Sequence, residues 1–240
     1  MSESTNARVA VITGGGSGIG AAVARLLAAE GWSVVVAART KSRLDDAADA
    51  INGAGGTASA RPTDVTVAAQ VDALFADTLA TYGRLDALVN SAGVSTGGEI
   101  VDTDADAWWE TIDVNLRGTY LCSRAALAPM LDAGDGHIVN ILSVASDTAF
   151  AGASAYCASK AAALMFTKVM AAEVRTKGVR VTAVLPGATD TPLWDDMGFK
   201  PELEDMMPPE RVAETVSFVL SQPRTAVVDQ VQVMPPRGIL

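Results

Sequence analysis

Tyr156 and Lys160 stand four residues apart in the stretch SAYCASKAAAL. On a helix such a pair projects from one face, so a phenol and an ammonium can meet the same ligand. A phenol titrates near ~10 in water. A fixed ammonium beside it favours the phenolate and lowers that value. The pair is therefore expected to give and take a proton near pH 7. A second chemical signal lies at Thr13–Gly20, TGGGSGIG. An apolar run, Val9–Ile12, precedes it, and AAVARLLAAEG follows with helical spacing and Gly31 as a stop. Strand, glycine-rich turn and helix form a cradle for a diphosphate. Gly14, Gly18 and Gly20 let the backbone turn tightly and approach closely, and the helix N-terminus offers unpaired N–H groups.

The elements that must position these residues alternate along the chain. Strand candidates are Val9–Ile12, Ser33–Ala37, Ala87–Val89, His137–Leu142, Arg180–Leu185 and Val228–Val233, with a weaker one around Ala58–Arg61. Helical patterns lie between them. The alternation predicts an α/β fold, a doubly wound parallel sheet of about seven strands with helices on both faces. At 240 residues, 49% hydrophobic, one domain over 1–240 is expected. Residues 1–7 read as a short, mobile, polar leader without the features of a signal peptide. No stretch is apolar enough to span a membrane. Cys122 and Cys157 make neither a disulfide framework nor a metal cluster, so no metal is expected. These features predict a cytoplasmic protein. A net charge of −10 argues against a nucleic-acid partner. GAGG at Gly53–Gly56 follows no strand and reads as a plain loop.

TGxxxGxG near the start, followed by YxxxK in the second half, resembles the short-chain dehydrogenase/reductase family. Further landmarks carry the resemblance from Val9 to the C-terminus. Asp64-Val65 looks like the acidic contact to adenine. Leu88–Gly93, LVNSAG, is similar to the NNAG strand end, with Ser91 in place of the second Asn. Asn115 in DVNLRG matches the active-site Asn. Ser143 lies thirteen residues before Tyr156, with Leu142 in place of a first Ser. Pro186-Gly187 and Thr191 match the PGxxxT loop at the nicotinamide.

The resemblance implies a Rossmann-type NAD(P)-binding domain and an oxidoreductase acting on a hydroxyl or carbonyl group. It makes Tyr156 the acid/base. Lys160 tunes that tyrosine and holds the nicotinamide ribose. Ser143 bonds the reacting oxygen, and Asn115 holds a water that links Lys160 to solvent. Cofactor contacts are then expected from Thr13, Gly14, Gly16, Ser17, Gly18, Ile19 and Gly20, from Asp64, Val65, Asn90, Ala92 and Gly93, from Tyr156 and Lys160, and from Pro186, Gly187, Thr189 and Thr191. After the second strand, Ala38 replaces the acid common in NAD-preferring relatives. Arg39 follows, with a planar fork suited to phosphate, and Lys41 and Arg43 add positive field. NADP(H) is thus expected in preference to NAD. The segment 191–210 corresponds to a variable substrate lid; it mixes Leu193, Trp194, Met197, Phe199, Met206 and Met207 with acids, which suits a small, partly apolar substrate. The C-terminal VDQVQVMPPRGIL resembles the subgroup of serine and 3-hydroxy acid dehydrogenases and clavulanate-type aldehyde reductases.

Two alternatives stand beside this reading: a 3-oxoacyl thioester reductase, and a non-catalytic nucleotide-sensing regulator. The helix after Tyr156 carries apolar residues at 161–166 and 169–172, more than one face needs. That excess predicts a homo-oligomer, a tetramer by resemblance, or a dimer. His137 reads as structural, and Cys157 as turned away from Tyr156. Trp108-Trp109 reads as a helix or subunit contact. Asp102, Asp104 and Asp106 read as a solvated helix start.

Overall fold

Alternate residues of each central strand feed two different cores. In β1 (Val9–Thr13), Ala10 and Ile12 join one apolar cluster and Val11 joins the other; in β2 (Ser33–Ala38), Val34 and Val36 oppose Val35 and Ala37. The period of two sends successive side chains to opposite faces. Strands covered on both faces therefore read as unbroken apolar runs. The computed structural model describes residues 7–197 and 200–238. The leader expected over 1–7 lies, apart from Ala7, outside the described residues.

The sheet continues with β3 (Thr57–Pro62), β4 (Ala87–Asn90), β5 (Gly136–Ile141), β6 (Val179–Pro186) and β7 (Gln230–Val233). All seven strands are parallel, in the order β3-β2-β1-β4-β5-β6-β7. The helices are α1 (Gly18–Ala29), α2 (Lys41–Gly53), α3 (Ala68–Tyr82), α4 (Ala105–Ile112), α5 (Thr119–Ala133), α6 (Ser154–Val174) and α7 (Pro209–Ser221). Leu27, Leu44, Val212 and Val216 fill one face; Phe75, Leu121, Met130, Met170 and Val174 fill the other. The strand order reverses between β1 and β4, and a ligand crevice forms at the carboxyl ends of strands at such a point.

The last strand is shorter than its apolar pattern predicts. Val228 and Asp229 precede it, their carbonyls taken by the Thr182 hydroxyl at 2.6 Å and the Ala183 N–H at 3.0 Å. β3 is an edge strand and half-exposed, which explains its weak signal in the sequence. Asp104 caps α4, accepting the Ala107 N–H at 3.0 Å. Trp108 donates its indole N–H to Ser154 at 3.1 Å and so ties α4 to the start of α6, while Trp109 stays exposed. Among the described residues, no helix is long and apolar enough to cross a membrane.

Candidate active site

Three cavities run in line along the carboxyl ends of the strands. The first, of about 200 Å³, is lined by Gly14, Gly16, Ser17, Arg39, Asp64, Val65, Ala92 and Gly93 among others. The second, of about 240 Å³, shares Gly14, Ser17, Arg43 and Gly93 with it and adds Gly18, Ile19, Lys160 and Thr191. Tyr156 opens onto both the second and a third cavity of about 590 Å³, which also takes in Ser143, Pro186, Gly187 and Thr189.

The glycines are required by close approach. Gly14 has φ +67°, and a Cβ there would lie 2.7 Å from the Ser91 carbonyl oxygen. A Cβ on Gly20 would collide with the Gly14 carbonyl. Gly18 has φ +50° and packs against the Thr191 side chain, which joins the glycine turn to the loop after β6. The floor of these cavities is thus bare backbone at the start of α1, where N–H groups and the helix dipole favour an anion. A nicotinamide dinucleotide fits this chain of cavities with its bare-backbone floor.

Not every predicted contact faces the cavities. The Thr13 hydroxyl is buried and accepts the N–H groups of Ser91 and Ala92, each at 3.2 Å. Gly20 supports Gly14 from below. The side chain of Asn90 points inward, donating to Ser123 at 3.0 Å and to Asn140 at 2.9 Å; Asn140 donates on to Thr167 at 2.8 Å, and Thr167 to the Ala163 carbonyl at 2.6 Å. The side chains of Thr13 and Asn90 hold the strand ends in place and do not line the groove.

Tyr156 and Lys160 share one face of α6, as their spacing predicts. The ammonium nitrogen lies 5.5 Å from the centre of the phenol ring and donates to the Ile141 carbonyl at 3.0 Å. The expected effect of Lys160 on the phenol is not seen in the chain by itself. Burial pushes Tyr156 up to about 12, against the pull of the facing Ser143 hydroxyl. Some of the residue's surface is exposed, but its phenol is desolvated deeply enough for burial to prevail. Burial likewise brings Lys160 down to about 8. Desolvation opposes both charged forms, and the hydrogen bond the ammonium makes is to the Ile141 carbonyl.

Ser143 serves as a strand-end cap and also faces Tyr156: its oxygen accepts the Ala145 N–H at 3.1 Å. That fixes the hydroxyl and leaves its proton to donate towards the phenol or a bound oxygen. Asn115 sits in a π-helical turn, Asp113–Gly118, between α4 and α5. Its amide donates to the Val94 carbonyl at 2.9 Å and to Ser159 at 3.0 Å, and its oxygen accepts the Val94 N–H at 2.9 Å. Both amide protons are used, so the side chain positions Val94 and α6. Ser159, which donates to the Tyr156 carbonyl at 2.7 Å, was missed in the sequence, although its place three residues after Tyr156 puts it near the same helix face.

At the far end, burial alone would raise the Asp64 carboxyl. Two hydrogen bonds from Thr66, at 2.7 and 2.9 Å, and the charge of Arg39 together hold it below its ordinary value. Arg39 also meets Glu110 at 3.5 Å. Arg43 packs over Gly16 and lines both smaller cavities, a closer role than the general positive field its sequence position suggested. His137 is buried beside Thr182, and Cys157 turns to the Thr148 carbonyl, as expected of structural residues. Among the described residues, no three His, Cys, Asp or Glu gather closely enough to hold a metal.

Comparison with known proteins agrees with this architecture. The model of a family described as short chain dehydrogenase matches residues 8–200. An uncharacterised oxidoreductase of Staphylococcus aureus (strain N315) is 37% identical over 228 residues, covering 95% of this chain and 97% of the relative. The crystal structure of a metagenomic short-chain oxidoreductase in complex with NADP superposes with a TM-score of 0.85 at 34% identity, over 97% of this chain and 99% of that one. A variant of actinorhodin polyketide ketoreductase with NADPH gives a TM-score of 0.89 at 31% identity, over 98% of both chains.

Proposed function

Since this chain belongs to the short chain dehydrogenase family, and is thus an NAD(P)-dependent dehydrogenase/reductase, we propose that it prefers NADP(H) and acts on the hydroxyl or carbonyl carbon of a small, partly apolar substrate, with Tyr156 as acid/base. The observation that carries this reading is the position of Tyr156 at the junction of two cavities, faced by Ser143 and backed by Lys160.

The nicotinamide, when bound, supplies or accepts the hydride. The protein's part is to manage one proton. A phenol at about 12 is protonated at pH 7 and stands ready to donate to a carbonyl oxygen as negative charge develops there. The Ser143 hydroxyl donates a second hydrogen bond to that oxygen. Lys160, still cationic at pH 7, stabilises the phenolate left behind. In the reverse direction the deprotonated form of Tyr156, a minor one at pH 7 with the phenol at about 12, takes the proton of the alcohol. Asn115 fixes Val94 and α6, so the phenol and the cavity wall keep their spacing. Arg39 and Arg43 supply positive charge at the adenosine end, where Ala38 puts no acid in the way of a 2′-phosphate.

A homo-oligomer is part of the same proposal. α5 and α6 expose Tyr120, Met165 and Val169 side by side with the half-buried Phe166, and Tyr120 and Phe166 meet edge to face with ring centres 5.9 Å apart. Rival readings as a thioester reductase or a nucleotide-sensing regulator make different demands on the same site. A screen of small ketones, aldehydes, 3-hydroxy acids and acyl thioesters, followed by NADPH absorbance in both directions with Tyr156→Phe as control, tests them together. Tight cofactor binding without turnover of any class would overturn the oxidoreductase mechanism.

A further inference from the structure

The 590 Å³ cavity beside Tyr156 has four hydroxyl-bearing residues, Ser143, Tyr156, Thr189 and Thr191, and an otherwise apolar wall that includes Phe150, Leu193, Trp194 and Met197. No residue described in that lining carries a charge. The cations nearest in sequence are committed elsewhere. Lys160 opens onto the neighbouring cavity and bonds Ile141; Lys200 pairs with Asp190 at 3.2 Å; Arg237 pairs with Asp205 at 2.6 Å and Glu204 at 3.7 Å.

The wall is also held in shape. The Trp194 indole N–H donates to the Thr189 carbonyl at 2.8 Å. Met207 donates its N–H to Ala188 at 2.9 Å and accepts that of Asp190 at 2.8 Å, which pins the far end of the lid to the loop after β6. A Cβ on Gly97 would collide with the Met197 carbonyl, so the lid also packs directly on the loop after β4. A wall fixed at three places has little freedom to bring a cation to an anionic substrate.

Resting on the reading of this site as a carbonyl and alcohol oxidoreductase, we propose that it takes an uncharged compound whose reacting carbon carries a bulky apolar group, such as an aryl ketone or the matching alcohol, and that it rejects carboxylates and phosphates. An anion seated here loses its water and gains no counter-charge, which is costly. A neutral aryl group exchanges water for Phe150, Trp194 and Met197, which is favourable. Specificity thus comes from what the wall withholds as well as from what it offers. The wall thereby disfavours the 3-hydroxy acids that the C-terminal resemblance implied.

The test is a matched pair, acetophenone and 4-acetylbenzoate, which differ by one carboxylate. Binding of each to the full chain at pH 7 is measured by calorimetry in the presence of 1,4,5,6-tetrahydro-NADP, whose ring is uncharged and cannot transfer a hydride. Acetophenone is expected to bind at least about tenfold more tightly. Phe150→Arg, with its fold checked by circular dichroism, is expected to reverse the order. Equal affinities, tighter binding of the carboxylate, or no binding of either at millimolar concentration overturns the proposal. Turnover with NADPH is followed separately. Charge-selective binding without turnover upholds the selectivity and sinks the hydride-transfer reading; turnover of both compounds with equal affinity does the reverse.

Discussion

Asn115 grips the main chain of Val94 from both sides, accepting its N–H and donating to its carbonyl, each at 2.9 Å across 21 residues of sequence. The contact holds the loop that leaves β4 against the helical column containing α4 and α5. Replacing Asn115 by Ala leaves two main-chain groups without partners and frees Ser159. Unfolding free energy is expected to fall by roughly 2–3 kcal/mol. A denaturant midpoint equal to that of the wild type would show that the grip contributes nothing.

Tyr156→Phe removes the acid and keeps the ring. Turnover is expected to fall by about 10²–10⁴-fold with NADPH affinity nearly unchanged. Lys160→Ala is expected to lose both, because by resemblance Lys160 also holds the ribose. The pH profile carries a separate mark. The Lys160 ammonium, brought down from 10.5 to about 8 by burial, is present below that pH and lost above it. Carbonyl reduction should hold steady through neutrality and decline above about 8. A profile flat to pH 10 would remove Lys160 from the proton balance.

His137 sets a limit on acid stability. The Thr182 hydroxyl spends its one proton on the Val228 carbonyl, so His137 Nε2 must donate to Thr182 and Nδ1 is left as an acceptor without a partner among the described residues. Burial, and then the charge of Arg180, bring the ring down from 6.5 to about 3. The unfolded chain takes a proton below 6.5 and the native chain only near 3, so stability falls with falling pH across that window. The slope from this one group is about 1.4 kcal/mol per pH unit. His137→Gln keeps a donor for Thr182 and should flatten the fall between pH 6 and 4 by about that amount. Parallel curves for wild type and variant would refute this account.

Arg39 meets Glu110 at 3.5 Å and, in the proposed NADPH complex, would also face the 2′-phosphate. Arg39→Ala should weaken NADPH by about 10- to 150-fold, from a charge-assisted contact of roughly 1.5–3 kcal/mol, and leave NADH little changed. Glu110→Gln should strengthen NADPH by up to about fivefold, since an exposed ion pair stabilises by about 1 kcal/mol at most. Wild type binding both cofactors equally would mean that Arg39 does not read the phosphate.

Met165 is 61% exposed and Val169 49% exposed on α6, beside Tyr120 at 44% on α5. The wild type should sediment as a dimer or tetramer, and Val169→Glu should shift it towards the 24.7 kDa of one chain. A wild-type mass of one chain at micromolar concentration would exclude this face as a subunit contact.

The glycine turn, the strands of both central cores and the Tyr156–Lys160 face were legible because each is written in local spacing. The side-chain direction of Asn90 was not, because its partners Ser123 and Asn140 come from distant segments. Nor was the π-helical turn at Asn115: it inserts a residue into a pattern that otherwise reads as continuous helix, and Val94 and Ser159 hold its amide from outside. The raised phenol of Tyr156 was hidden for a similar reason. A sequence shows the ammonium four residues away but not the packing that desolvates both groups.

The buried side chains behind the groove have a direction as well as a position. The Ala163 carbonyl can only accept, so Thr167 must give it a proton and take one from Asn140, and Asn140 must in turn take one from Asn90. Neither carboxamide can be turned over without breaking the line at its end. One main-chain oxygen in α6 thus decides how three side chains on three elements are oriented. A substitution at 140 that accepts but does not donate, such as Asn140→Asp, would face Thr167 with the wrong polarity even though its size is unchanged.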